Sequence, residues 1–274
     1  MLTRKLGLLP WIGTLGVLAA LLAGCGGNNS LGPGANTTSR VRVFNALGGC
    51  PGAGAVTVLQ SNNAVALNPA NGVAYGTASG YQLVRSGNGI NTNVYTAGTT
   101  TPPLAPQVSI DLSPHDTNSN NGTYTVAVSG VCGQTTGAPA APQIKRYIDN
   151  PGTPATNQAL LRVVNLSPDA GSVVLYNTSG NPPVPIAVAG FPTNGVGYLG
   201  NTDYVAVTPI AGQSFNFSLI SAGQALPLPA NAGVANLQAG NAYTLFVFGE
   251  VNPTGGGQPL NIVLVQDAPI TNPP

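Results

Sequence analysis

Hydrophobic and polar residues alternate along much of this chain in short runs with a period of two. In Tyr124-Thr125-Val126-Ala127-Val128-Ser129, the residues Tyr124, Val126 and Val128 fall on one face, the pattern of a half-buried β-strand. Val56-Thr57-Val58, Val108-Ser109-Ile110 and Val205-Ala206-Val207 have the same β-branched character. Asn71-Gly72, Asn88-Gly89, Asn121-Gly122 and Asn194-Gly195 punctuate the runs as turn dipeptides. Beyond residue 25 no stretch keeps a helical period over ten residues, and the 37 glycines and 25 prolines of the whole chain, nearly all of them in this part, work against one. One strand departs from the alternation. Tyr243-Thr244-Leu245-Phe246-Val247-Phe248 is apolar on both faces, which predicts cover on both sides. Either the rest of the chain or a partner is expected to cover Phe246 and Phe248.

The first segment has a different pattern. Arg4 and Lys5 precede an apolar run of 17 residues, Leu6 to Leu22, and Leu22-Ala23-Gly24 leads into Cys25. A positive start, a short apolar region and small residues before a cut site make a secretory signal peptide. The run is short for a span, which needs about 20 residues. Ending on a cysteine, it resembles the bacterial lipoprotein signal, in which that thiol is acylated and becomes the new N-terminus. Residues 1–24 are thus expected to be a lipoprotein signal peptide and residues 25–39 a flexible tether. The expected location is the cell envelope. Gly26, not aspartate, follows Cys25, which by analogy favours the outer membrane or cell surface.

The remainder repeats itself. Arg42-Val43-Phe44-Asn45 returns as Arg162-Val163-Val164-Asn165 at an offset of 120. Gly122-Thr123-Tyr124-Thr125 matches Asn241-Ala242-Tyr243-Thr244 at 119, and Ile148-Asp149-Asn150-Pro151 matches Gln266-Asp267-Ala268-Pro269 at 118. Near-constant offsets imply two copies of one unit, at 40–151 and 160–269. Short strands between Gly, Pro and Asn clusters make each an all-β unit. The expected fold is two tandem antiparallel β-sandwich domains of immunoglobulin-like type.

Composition narrows the chemistry. Charged residues are 5% of the chain and hydrophobic ones 43%, against about 25% charged in ordinary globular domains. Removing Arg4 and Lys5 leaves six basic against seven acidic residues, and Lys145-Arg146 is then the only adjacent basic pair. Nucleic-acid binding needs clustered Lys and Arg and is not expected. With Cys25 taken by lipid, Cys50 and Cys132 form an even pair in an exported chain, for which a disulfide is the default.

Candidate sites are few. His115 is the only histidine and reads as a solvated loop residue. Zinc needs three or four suitable ligands, so no metal and no cofactor is expected. Asp116-Thr117-Asn118-Ser119-Asn120-Asn121-Gly122 has oxygen ligands at alternate positions. Its glycine falls one place late and Ala127 stands where glutamate belongs, so a polar hairpin loop is the reading preferred. Arg42 with Asp149, and Arg162 with Asp267, recur in both units. Each pair is expected to tie the first strand to the end of the last strand within its own unit. Tyr75, Tyr81, Tyr198 and Tyr204 lie near Asn- and Gly-rich turns and are candidate ligand contacts.

Leu161-Arg162-Val163-Val164-Asn165-Leu166-Ser167-Pro168-Asp169-Ala170 resembles the opening of Domain of Unknown Function family 4397. Members of that family are exported, often lipid-anchored bacterial proteins with tandem copies. The late Tyr243-Thr244 strand and Asp267 fit its pattern. The first unit keeps Arg42, Asn45, Tyr124 and Asp149 but has Leu47-Gly48-Gly49-Cys50 in place of Ser-Pro-Asp-Ala. The resemblance implies an envelope-displayed sandwich and brings no catalytic residues. The expected function is a non-catalytic structural, adhesive or protein-interaction role, with an envelope protein or polysaccharide as partner and the lipid in the membrane. A carbohydrate-binding surface module is the alternative, and a hydrolytic enzyme a weaker third.

Overall fold

The computed structural model describes residues 38–50, 54–60, 65–69, 71–100, 102–113, 122–134, 140–177, 184–185, 194–209, 215–229, 234–253 and 256–267. Cys25, His115 and the acidic-amide stretch from Asp116 to Asn121 lie outside them. Regular structure among the described residues is all β, with no helix. The first half contributes β1 (Thr38–Gly48), β2 (Val56–Gln60), β3 (Val65–Ala66), β4 (Thr77–Ala78), β5 (Gln82–Arg85), β6 (Ile90–Thr96), β7 (Val108–Ile110), β8 (Thr123–Val131) and β9 (Gln143–Ile148). The second contributes β10 (Ala159–Asn165), β11 (Val173–Asn177), β12 (Val184–Pro185), β13 (Val205–Val207), β14 (Phe215–Ser221), β15 (Gln224–Ala225), β16 (Val234–Ala235), β17 (Ala242–Phe248) and β18 (Asn261–Gln266).

These strands form four open sheets. The first half holds the order β4-β1-β8-β9, with β5 also on β1, and the order β3-β2-β6-β7. The second holds β13-β10-β17-β18, and β12-β11-β14-β15 with β16 also on β14. The expectation of wholly antiparallel sheets is corrected once in each half. β1 runs parallel to β8 from Arg40↔Thr123 to Gly48↔Val131, and β10 parallel to β17 from Leu160↔Ala242 to Asn165↔Val247. Parallel neighbours need a long crossover. Here the intervening chain builds the other sheet before it returns.

Alternation along the central strands sorts residues onto two faces. Val41, Val43 and Leu47 of β1 and Tyr124, Val126 and Val128 of β8 face a core shared with Val56, Val58, Val94 and Ile110 of the opposite sheet. Leu161 and Val163 of β10 and Tyr243, Leu245 and Val247 of β17 do the same with Val173, Leu175 and Leu219. The other faces of these strands meet each other. Phe44, Ala46, Ala127 and Tyr147 from the first half pack with Val164, Leu166, Phe246 and Phe248 from the second. The double-sided apolar strand predicted at Tyr243–Phe248 is therefore covered by the first half of the chain. Phe44 stacks on Phe246 with centroids 4.0 Å apart and planes at 11°, and meets Phe248 edge-on at 5.6 Å. The halves fall in one compact unit, and the sheets stack in four layers with three cores between them.

Candidate functional site

Beside the Phe44–Phe246 stack, the same two sheets bury a charged cluster. Arg42 and Arg162 are each 1% exposed, and Asp149 and Asp267 each 2%. β1 and β10 carry the arginines, β8 and β17 the threonines beside them, and the aspartates stand one residue beyond the named ends of β9 and β18. The Arg42 Nε donates to Thr125 Oγ1 at 2.8 Å, and Thr125 donates to Asp149 Oδ2 at 2.6 Å. In the same way the Arg162 Nε donates to Thr244 Oγ1 at 2.8 Å, and Thr244 donates to Asp267 Oδ2 at 2.9 Å.

The outer guanidinium nitrogens cross the seam. Arg42 Nη2 bonds the Asp267 carboxylate, and its Nη1 donates to the Gln266 carbonyl at 3.1 Å. Arg162 Nη2 bonds the Asp149 carboxylate, and its Nη1 donates to the Ile148 carbonyl at 2.6 Å. The in-unit pairing expected from sequence is present for Arg42 and Asp149 as the longer ion pair, while the shortest bonds of both arginines are exchanged between halves. Arg42 keeps a longer contact of 3.7 Å to Asp149, whereas Arg162 reaches Asp267 through Thr244. The reason is the packing of the two sheets, which brings the end of each half's last strand over the other half's first strand. Reciprocal contacts of this kind are the signature of an isologous, two-fold interface, here inside one chain.

Tyrosines complete each side. Tyr81 donates to Asp149 Oδ2 at 2.7 Å with its ring 4.9 Å from the Arg42 guanidinium carbon. Tyr204 donates to Asp267 Oδ2 at 2.7 Å with its ring 4.7 Å from that of Arg162. Burial, then the neighbouring carboxylates, pushes both phenols up. For Asp149, burial alone would raise the pKa. Arg162, Arg42 and the hydrogen bonds from Thr125 and Tyr81 outweigh it and hold the carboxyl below its usual value. Burial would likewise lower Arg162, and Asp149, Tyr204 and Asp267 together outweigh it and raise that group. Two cations and two anions leave the cluster neutral, and its side chains are spent on one another. Of the other two tyrosines singled out by sequence, Tyr198 lies 3.3 Å from Ser129 Oγ, and Tyr75 packs edge-on to Phe248 at 5.4 Å.

A second matched pair lies at the strand ends. Cys50 and Cys132 form a disulfide, with Cα atoms 4.9 Å apart, joining the chain just after β1 to that just after β8. At the corresponding place in the second half Asp169 accepts from the Val251 N–H at 2.8 Å and the Asn252 N–H at 3.0 Å. Ser167 Oγ also donates to it, at 3.3 Å. One half thus closes the parallel strand pair covalently, and the other through a carboxylate. Asn45 and Asn165 brace the turns in both. Asn45 Nδ2 donates to the Val73 and Gly54 carbonyls at 2.9 and 2.7 Å, and Asn165 Nδ2 to the Val196 and Gly171 carbonyls, both at 2.9 Å. Thr125 and Thr244 were missed by sequence reasoning as functional residues, although the repeated Tyr-Thr dipeptide marked them. Among the described residues no group of three metal-ligating side chains occurs.

A family described as Domain of unknown function (DUF4397) matches residues 39–176, half of the chain, and the chain belongs to it. That match is a single copy and runs from β1 through most of β11. No curated protein matches. Among solved structures, a putative cell adhesion protein from Bacteroides uniformis ATCC 8492 has 11% identity and a TM-score of 0.22, over 85% of this chain and 99% of its own. Another putative cell adhesion protein, from Bacteroides eggerthii DSM 20697, has 9% identity and a TM-score of 0.18, over 85% and 98%.

Proposed function

We propose that this chain is a lipid-anchored cell-envelope protein whose two tandem immunoglobulin-like sandwich domains act as one rigid display module. Its role on this reading is structural, adhesive or protein-interacting, and non-catalytic. The observation that carries the reading is the exchanged Arg42–Asp267 and Arg162–Asp149 pairing. It spends the best-placed acid and base groups on joining the halves, which suits a mechanical role more than chemistry. The disulfide supports an oxidising compartment, in keeping with the Leu22-Ala23-Gly24-Cys25 signal and export to the outer membrane or surface. Cys25 would carry the lipid.

The test is protease treatment of intact cells, with mass spectrometry of the mature N-terminal peptide. An acylated Cys25 and a protein shaved from the cell surface are expected. A soluble cytoplasmic protein that retains residues 1–24 would overturn the reading. Carbohydrate binding stands as the second reading, because one side of the seam opens into a polar cavity.

A further inference from the structure

The two-fold seam has two mouths, one beside each arginine, built from equivalent positions. Near Arg42 the chain presents Ala78, Ser79, Gly80 and Tyr81. Near Arg162 it presents Asn201, Thr202, Asp203 and Tyr204. The equivalence is fixed by matching bonds: Ala78 pairs with Phe44 as Asn201 bridges to Val164. The Val43 N–H donates to Ser79 Oγ as the Val163 N–H donates to Thr202 Oγ1. On the adjoining last strand Leu264 stands where the other half has Arg146, as their strand pairings show.

The fold therefore places Leu264, Ala78 and Gly80 at the equivalent positions of the Arg42 mouth, so it does not require Arg146, Asn201 and Asp203 at the other. What these three do is line a cavity of about 500 Å³, together with Asn150, Tyr147 and Tyr204, a volume within the range of small-molecule sites. Asn150, Asn201 and Asp203 are exposed. The arginines at the cavity already have anions: Arg162 holds Asp149, and Arg146 lies 3.7 Å from the Asp111 carboxylate. A phosphate or carboxylate ligand would find little uncompensated positive charge. Side-chain amides and a carboxylate beside tyrosine rings suit a neutral ligand dense in hydroxyl groups, each of which both donates and accepts.

We propose that this mouth of the seam binds a saccharide through Asn150, Asn201 and Asp203. The proposal rests on the display reading only for where the sugar is met. It is tested on the purified, 15N-labelled protein by NMR titration with cellobiose, maltose, lactose and N,N′-diacetylchitobiose. Saturable shifts of the Asn150 and Asn201–Tyr204 amides with at least one of the four are expected. The Asn201→Ala/Asp203→Gly variant, which installs the residues of the other mouth, should weaken that binding at least tenfold with its thermal midpoint retained. No saturable seam shift with any probe would overturn the proposal, as would shifts confined elsewhere or binding unchanged in the variant. Cleavage of a bound disaccharide would leave the site standing and overturn the non-catalytic reading instead.

Discussion

Asp149→Asn isolates the charge of one carboxylate while keeping its volume. In the native seam Asp149 accepts from Arg162, from Tyr81 at 2.7 Å and from Thr125 at 2.6 Å, with Arg42 at 3.7 Å. The amide keeps an acceptor but leaves two buried guanidiniums to share Asp267. Removing one member of a buried ion pair costs about 3–5 kcal/mol, far above the ~0–1 kcal/mol of an exposed pair. Denaturant unfolding followed by circular dichroism should show that loss near neutral pH. The difference should also depend on pH. Because Asp149 is held below its usual value in the folded state, its contribution is complete above the unfolded carboxylate pKa of about 4. It is lost as pH falls through the lower folded value. Wild type and variant should therefore converge in strong acid. A loss under about 1 kcal/mol at neutral pH, or a difference that grows on acidification, would refute the reasoning.

Four further outcomes follow from other parts of the structure. Reducing the Cys50–Cys132 disulfide, which closes a separation of 82 residues, should destabilise the chain by up to about 4–5 kcal/mol in the chain-entropy model; hydrogen exchange should rise first around the ends of β1 and β8. Asp169→Ala removes two backbone bonds to a carboxylate, each worth about 1.5–3 kcal/mol, and should loosen the chain after β17. Cysteines introduced at Ala170 and Val251, the positions equivalent to the disulfide, should restore stability under oxidising conditions only. Phe246→Ala should cost about 3–5 kcal/mol in a thermal or chemical melt, because Phe246 is fully buried against Phe44.

Much of this was legible in sequence because local chemistry leaves local patterns. The period of two placed Tyr124, Val126 and Val128 on one core face, and an even pair of cysteines pointed to the disulfide. The repetition of Arg42 and Asp149 as Arg162 and Asp267 marked the residues of the cluster. What repetition cannot encode is which copy supplies each partner. Equivalent residues look identical whether the bond closes within a half or across the seam, so the exchange needed the packing of the two sheets. The parallel β1–β8 and β10–β17 pairs were hidden for a related reason: turn dipeptides report where the chain reverses, not which distant strands meet. Asp169 was visible as a motif residue, but its role appeared only once it stood at the place the disulfide occupies in the other half. The double-sided strand was the most informative local anomaly. Phe246 and Phe248 had no reason to be apolar in an isolated half, and they are the second half's contribution to the seam.

The interlock of the two halves is tested most directly by a pair of double-mutant cycles. Arg162→Met is combined with Asp149→Ala in one cycle and with Asp267→Ala in the other, each read by denaturant unfolding. Residues bonded in one network couple by about 0.5–3 kcal/mol. The exchanged arrangement predicts the upper end of that range for Arg162 with Asp149 and the lower end for Arg162 with Asp267. Stronger coupling of Arg162 to Asp267 than to Asp149 would mean that each half closes on itself, and would contradict the account.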